Sequence, residues 1–416
     1  MPFSAPHLQP VGQECDFYWP GHLDERSLPK EQGGIQLAER YDVNAKHDIA
    51  LVISDMEDGG AQGVVAKLAA HWVAQGLSVA VVTQESSEKD FFKVSPEVTR
   101  IVAGGLGSFG GVAASVFRNI WRLFLLRRAL KQADADVVFV FVGRTIIQTI
   151  LASRGLRYRI IACERNDPAI QTLGRFWDWL RTLVYRRADI VTANSQGAIN
   201  HLATYVPRPK LRLVRNPVRL YECVSGQKRE PAFVVVGRLV AQKGHESIFR
   251  AFASVASRLP DWRLWIIGQG KGEAGLKVLS EELGISEFVD WYGLVPQPEP
   301  YYLRASVFVS ASSYEGMPNA MLEAMSAGLP VIVSDASPGP LEMVHDQESG
   351  VVVPHGSGSR LSEAMFELAN DAMLRDSLGS AGRAVVEEFS EERVFAVWDE
   401  LRAEAGGRPI ATPPLG

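Results

Sequence analysis

Gly237-Arg238-Leu239-Val240-Ala241-Gln242-Lys243-Gly244 sets two cations inside a turn bounded by glycines. The turn follows an apolar run, Phe233–Val236, and precedes a helical pattern from about His245 to Arg258. Glycine at its ends lets backbone approach a ligand closely. A guanidinium, an ammonium and free amides at a helix start together suit a diphosphate. The same residues also suit two solvated loop cations. A second run, Tyr314–Pro330, holds Glu315 ahead of a short helix and Glu323 two turns inside it. Pro318 fits a first helical position there, and Gly328 fits a C-terminal cap. The amides around Gly316–Asn319 then face whatever lies beyond the helix start. One carboxylate can meet a sugar hydroxyl and the other a ribose hydroxyl. Alternatively, Glu315 is a helix cap and Glu323 a core-edge acid.

Three further sites are weaker. Gly59-Gly60, with Gln62 and Gly63, ends the first apolar run and can bring amides to a phosphate or sugar, or simply form a βα turn. Cys163-Glu164-Arg165-Asn166-Asp167-Pro168 clusters polar groups at a strand end. Charged groups at a buried strand end need partners, so Glu164 and Arg165 are candidates for function, for a mutual bridge, or for helix capping together with Asn166 and Asp167. A helical stretch around 113–132 carries Arg118, Arg122, Arg127, Arg128 and Lys131 beside Phe117, Ile120, Trp121, Phe124 and Leu125. A second basic, Trp-containing stretch covers 175–187. Both suit an anionic membrane surface, or a helix packed on its own domain with a wet basic edge.

Other patterns fail. Gly268-Gln269-Gly270-Lys271-Gly272-Glu273 places an acid where a dinucleotide loop needs glycine. Asp134-Ala135-Asp136 precedes its strand, the wrong end for a metal-bound substrate. The eight histidines show no ligand spacing. No metal or cofactor is expected.

These residues need a scaffold that brings distant loops together. Ile49–Ile53, Leu77–Thr83, Val137–Val142, Arg159–Cys163 and Ile190–Asn194 are strand-sized apolar runs, separated by helical patterns. The alternation restarts at Ala232 with Phe233–Val236, Arg263–Ile267, Phe288–Trp291, Val307–Ser310, Val331–Ser334 and Val351–Val353. That is α/β architecture with two Rossmann-like, doubly wound domains facing across a cleft. By this pattern the chain is expected to divide into an N-terminal extension (1–46), a first domain (47–217) and a second domain (218–390). A polar linker spans Ser225–Glu230, and a last helix (391–403) is free to pack back on the first domain.

The chain has 416 residues, with 43 Lys+Arg against 48 Asp+Glu, and is 46% hydrophobic. A net charge of −5 argues against bulk nucleic-acid binding. Cys15, Cys163 and Cys223 are too scattered for a disulfide framework, which fits a reducing cytoplasm. No apolar run reaches the length of a membrane span, and the N-terminus does not read as a secretory signal.

At these residues the sequence resembles the retaining glycosyltransferases of family GT4, which have the GT-B fold. The resemblance rests on GRLVAQKG followed by EGMPNAMLEAMSAGLPVI, and on GGAQGVVAKLAAHWVAQGLSVAVVT in the first half. It implies that Arg238 and Lys243 hold the diphosphate of a nucleotide-sugar. Glu315 and the backbone of Gly316, Met317, Pro318 and Asn319 would face the donor sugar and phosphate, and Glu323 the ribose. Gly237 belongs to the same donor wall, while Leu322 and the Gly268 and Val295 loops would flank base and ribose. Gly59 and Gly60 would approach from the other domain. Many members carry a histidine where this chain reads Glu164-Arg165-Asn166-Asp167-Pro168, a variant similar to that of bacterial polysaccharide and oligosaccharide assembly enzymes. Glu164 and Arg165 thereby become the acceptor-side candidates. Arg238, Lys243 and Glu315 are the expected catalytic set.

The implied activity moves a sugar, by expectation from a UDP-sugar, to a glycan or polyprenyl-diphosphate-linked acceptor at the inner membrane face. A non-catalytic nucleotide-sugar-binding protein and a same-fold epimerase use the same residues and remain alternatives.

Overall fold

Uninterrupted apolar runs have no polar face to turn to water, so they fit strands covered on both sides. The computed structural model, which describes residues 46–104, 112–222 and 228–408, places them so. The N-terminal extension up to residue 45, part of the 225–230 linker, Cys15, Cys223 and the side chain of Phe117 lie outside the described residues.

The first sheet holds β1 (His47–Ile53), β2 (Val79–Thr83), β3 (Thr99–Val102), β4 (Ala135–Phe141), β5 (Arg159–Glu164), β6 (Ile190–Ala193) and β7 (Leu211–Leu213). All are parallel, in the order β3-β2-β1-β4-β5-β6-β7. Its helices are α1 (Gly60–Ala74), α2 (Val112–Ala133), α3 (Gly143–Ala152), α4 (Arg175–Val184) and α5 (Gln196–Leu202). The second sheet holds β8 (Ala232–Val236), β9 (Arg263–Ile267), β10 (Val289–Gly293), β11 (Val307–Ser310), β12 (Val331–Ser334) and β13 (Val351–Val353), ordered β10-β9-β8-β11-β12-β13. With it come α6 (His245–Ala256), α7 (Glu273–Glu282), α8 (Glu299–Arg304), α9 (Asn319–Ser326), α10 (Pro338–Leu341), α11 (Gly358–Asn370) and α12 (Ala372–Val386). The last helix, α13 (Glu391–Glu404), follows.

Strand order reverses between β1 and β4 in one sheet and between β8 and β11 in the other. Loops leaving the carboxyl ends on either side of such a reversal diverge and leave a crevice, the usual ligand place in these sheets. The Gly59-Gly60, Gly237–Gly244 and Glu315–Asn319 segments all start from those ends.

Side-chain alternation along the strands sorts the helices. Leu51, Phe139 and Phe141 share a cluster with Trp72 of α1 and Trp398 of α13. Val52, Val138 and Val140 share another with Leu126 and Leu130 of α2, Ile146 and Ile150 of α3, and Val184 of α4. So α2, α3 and α4 cover one face of the first sheet, and α1 and α13 the opposite one.

The last helix docks where it does because Asp399 finds partners at the C-terminal end of α1. Asp399 accepts from Trp72 Nε1 at 2.7 Å and from Gln75 Nε2 at 3.0 Å, and contacts His71 at 3.0 Å. The two chain crossings between the sheets run side by side. Val218 N–H donates to Phe389 O at 2.8 Å, and Glu391 N–H donates to Val218 O at 3.0 Å. Among the described residues no helix is long and apolar enough to cross a membrane.

Candidate functional site

The turn after β8 and the turn after β9 interlock. Leu239 N–H donates to Gln269 O, and Gly272 N–H to Leu239 O, each at 2.9 Å. A Cβ on Gly268 would stand 2.0 Å from Gly237 O, so only glycine permits this approach. Gly244 has φ 66 and would push a Cβ to 2.1 Å from Ala311 O, which ties the turn to β11. His245, the first residue of α6, donates Nε2–H to Arg238 O at 3.0 Å. Burial lowers its pKa, so the ring acts as a neutral brace on the turn.

Lys243 and Glu315 meet. Lys243 Nζ lies 2.5 Å from Glu315 Oε1, and both groups are largely buried. The two cation- and carboxylate-bearing loops therefore converge at one point. Arg238 is exposed, and its side chain takes no hydrogen bond among the described residues. The Glu315 peptide is pinned by Ser337, whose Oγ accepts its N–H at 2.9 Å and donates to its carbonyl at 3.2 Å.

Pro318 stands just before α9 rather than inside it, and Asn319 is the first helical residue. Asn319 Nδ2 donates across the cleft to Gly60 O at 3.2 Å, and Asn216 Nδ2 donates to Asn319 Oδ1 at 2.7 Å and to Met317 O at 3.1 Å. Gly316 lies against the first sheet: a Cβ there would stand 2.9 Å from Arg165 O and 3.1 Å from Asn194 Oδ1. The donor-side loop is thus partly held by the opposite half. Leu322 is buried in the apolar cluster against which Val295 packs half-buried. Glu323 accepts from Tyr302 at 3.1 Å. Burial raises its carboxyl above the ordinary range, against the opposing pull of Lys67 and the Tyr302 hydroxyl.

Gly59 is the N-cap of α1, and Gln62 folds back to donate to Asp55 at 2.8 Å. Glu164 and Arg165 behave differently from a facing pair. Both side chains are buried, and strand alternation sends them to opposite faces of the sheet. Glu164 accepts from Tyr185 at 2.8 Å, and burial raises its pKa against the nearby Arg181 charge. Arg165 turns toward α13. Its guanidinium stacks 4.8 Å from the Trp398 ring, and Nη1 donates to Val214 O at 2.8 Å and Asn216 Oδ1 at 3.3 Å. Neither forms a bridge with the other's side chain. At the cleft this segment presents backbone, the Arg165 carbonyl against Gly316.

Sequence reasoning missed Asn216 and Ser337. Asn216 was visible only as a domain boundary, and Ser337 carries no local pattern. Among the described residues no group of three or more His, Cys, Asp and Glu stands close enough to hold a metal ion.

The convergence of these loops agrees with the comparisons. Residues 224–385 match the family model Glycosyl transferases group 1, and residues 58–221 match Glycosyltransferase Family 4. The lipopolysaccharide 1,6-galactosyltransferase of Salmonella typhimurium is 31% identical over 269 residues, spanning 60% of this chain and 70% of that protein. An α-1,4-N-acetylgalactosaminyltransferase of Campylobacter jejuni, named for a glycan on PP-undecaprenol, is 24% identical over 86% of this chain and 98% of its own length. Among solved structures, HepE of Anabaena with UDP and glucose superposes with a TM-score of 0.74 at 16% identity, covering 86% of this chain and 99% of HepE. That likeness shows the fold, two facing parallel-sheet halves of the GT-B kind. The chain belongs to the family 4, group 1 glycosyltransferases.

Proposed function

We propose that the chain transfers a sugar from a UDP-sugar to a lipid-linked or lipopolysaccharide-type glycan, with retention of configuration and without a metal ion. The observation that carries this is the Lys243–Glu315 contact, which brings the phosphate-suited turn and the start of α9 to one place opposite Gly60. In this reading Lys243, Arg238 and the amides at the start of α9 take the charge that grows on the leaving diphosphate as the C1–O bond breaks. Preorganised donors of this kind are worth about 3–4 kcal/mol each. Glu315 orients the Lys243 ammonium and faces the donor sugar. Val295 flanks the base and Glu323 takes the ribose hydroxyls, while Leu322, expected to flank the base, is buried in the apolar cluster and supports that wall from behind. The acceptor hydroxyl attacks C1 from the face the diphosphate leaves and its proton passes to the departing phosphate oxygen, so no strong protein nucleophile is needed. Retention and metal independence rest on the family resemblance. The UDP preference and the acceptor class rest on what the names of the relatives and solved neighbours say of those proteins.

The test is release of UDP from UDP-glucose, UDP-galactose and UDP-N-acetylgalactosamine, with GDP-mannose and ADP-glucose alongside, in EDTA, with NMR of the product's anomeric centre. Turnover of a UDP-sugar with an unchanged anomer is the expected result. No turnover and no thermal stabilisation by any nucleotide contradicts it.

A ribose-binding Glu323 also predicts a pH dependence. Its carboxyl accepts hydroxyl donors at both oxygens only when ionised, since protonation turns one oxygen into a donor, and burial raises its pKa. UDP affinity is therefore expected to hold at high pH and to fall as pH drops through that raised value, earlier than for an exposed glutamate. In Glu323→Gln the dependence should flatten. Calorimetric UDP titrations from about pH 8 to pH 5 check this; an unchanged profile in the variant contradicts the assignment.

The acceptor side adds a membrane face. On α2, Ile120 is 61% and Phe124 56% exposed; on α4, Phe176 is 62% and Trp179 57% exposed. The inner side of α2 is already apolar through Leu126, Ala129 and Leu130, so this outer stripe is not needed for its packing. Both stripes lie on the face that carries α2, α3 and α4. Arg128 and Lys131 stand beside the first stripe, and Arg175, Arg186 and Arg187 beside the second. Arg127 is structural, donating to Ala152 O and Arg154 O. At 22 residues α2 runs about 33 Å, longer than the roughly 23 Å of β4, so its first turns overhang the cleft edge. Aromatic groups among arginines suit an anionic lipid surface. Wild-type protein is expected to float with phosphatidylglycerol vesicles, and W121S/F124S/F176S/W179S to stay behind with its UDP affinity unchanged. Equal flotation of the two proteins would remove this face.

A further inference from the structure

Glu342 makes contacts that the donor site does not account for. It sits just after α10, in the second half, yet among the described residues every partner of its carboxylate lies outside that half's sheet and helices. Oε1 accepts from Gln196 N–H at 2.7 Å and from Gly197 N–H at 3.2 Å, the first amides of α5. Oε2 accepts from Gln196 N–H at 3.0 Å and pairs with Arg215, on the connection between the halves. Arg215 in turn donates to Asn194 O at 3.2 Å and stacks over Phe389, on the other connection. Both members of the pair are mostly buried.

The turn that carries Glu342 also supports the donor loop. Ser337 holds both polar groups of the Glu315 peptide. Gly339 is pressed so closely on Gly316 that a Cβ would stand 1.7 Å from its carbonyl oxygen. Pro338 packs on Gly197, where a Cβ on the glycine would stand 3.1 Å from Pro338 Cγ. One short segment therefore touches the Glu315–Gly316 loop on one side and α5 of the opposite half on the other. A charged group on backbone N–H donors makes a strong, directional contact.

We propose that Glu342 is a positioning residue, a cross-domain latch that sets the Glu315–Gly316 loop when the halves close. Without it the closed arrangement is less populated, and apparent nucleotide affinity falls by that fraction. The nucleotide part rests on the donor site proposed above; the latch itself does not.

The geometry offers a ligand-free test. A Cβ on Gly197 would lie 3.7 Å from Pro338 Cβ, inside the range of a disulfide. In a C15S/C223S background, G197C/P338C is expected to oxidise readily, and addition of E342Q to slow cross-linking at least fivefold. Equal rates overturn the latch. In the same series, UDP should bind E342Q about tenfold more weakly than wild type, with R215Q and E342Q non-additive. Oxidised G197C/P338C/E342Q should regain affinity that dithiothreitol then removes, a rescue that a merely structural role would not show. Equal UDP affinity in wild type and E342Q overturns the positioning role. UDP failing to bind wild type counts against the donor reading, and the cross-linking rates then decide the latch alone.

Discussion

Lys243→Met is expected to lower kcat for sugar transfer by about 10²–10³-fold, the loss seen when one preorganised donor is taken from a charge that develops in the transition state. The side chain keeps its length but not its ammonium, so the loss reports charge. A second effect has the opposite remedy. Glu315 is mostly buried and has Lys243 at 2.5 Å; stranding its carboxylate costs on the order of 1–3 kcal/mol. K243M/E315Q is therefore expected to recover thermal stability without recovering activity. Single-turnover rates beside thermal unfolding separate the two effects. A K243M enzyme that keeps a third of the wild-type rate would remove the ammonium from the chemistry.

Trp398→Ala is expected to cost about 3–5 kcal/mol, as for other fully buried large aromatics. Trp398 is fully buried, with its ring 5.7 Å from Phe139 and 6.1 Å from Phe141. It also forms the surface on which the buried Arg165 guanidinium lies. Its removal leaves a cavity beside a charge that keeps its bonds to Val214 and Asn216 but loses its stacking partner. Amides of α13 should lose hydrogen-exchange protection before the rest of the first half. A loss below about 1 kcal/mol, the size expected of a surface change, or uniform loss of protection, would contradict this account of how the last helix is held.

The strands that the sequence announces are those with both faces covered. Ala50–Ile53 or Val331–Val333 has no other way to hide its side chains, so the pattern is unambiguous. β3 and β7 are edge strands with Arg100 and Arg212 in their middles; half-exposed, they carry no apolar run and were not foreseen. The short helix at Asn319 was legible from Pro318 and Gly328, although the proline stands one place earlier than its N1 preference suggests. Arg238, Lys243 and Glu315 stood out because charge beside glycine at a strand end is uncommon without a reason, and Glu323 because it follows Glu315 inside the short helix. The segment 164–165 shows the limit of that argument. Charge at a strand end was visible, but a partner such as Trp398, far along the chain, was not, nor was the alternation that separates the two side chains. Asn216, Ser337 and Glu342 work through contacts between segments distant in sequence, and a single polar residue in a loop carries no spacing to reveal them. On α2 the outward stripe was legible as apolar and basic, whereas its direction was set by Leu126, Ala129 and Leu130 taking the sheet.

The most direct measurement is a crystal structure of the wild-type chain with UDP. The account requires the diphosphate in the groove between the two sheets, with phosphate oxygens about 3 Å from Lys243 Nζ and from the backbone amides of Gly316 and Met317, Arg238 turned onto the same group, and the ribose on Glu323. UDP held elsewhere on the chain, or in the groove with Lys243 and Arg238 turned away from its phosphates, would contradict it.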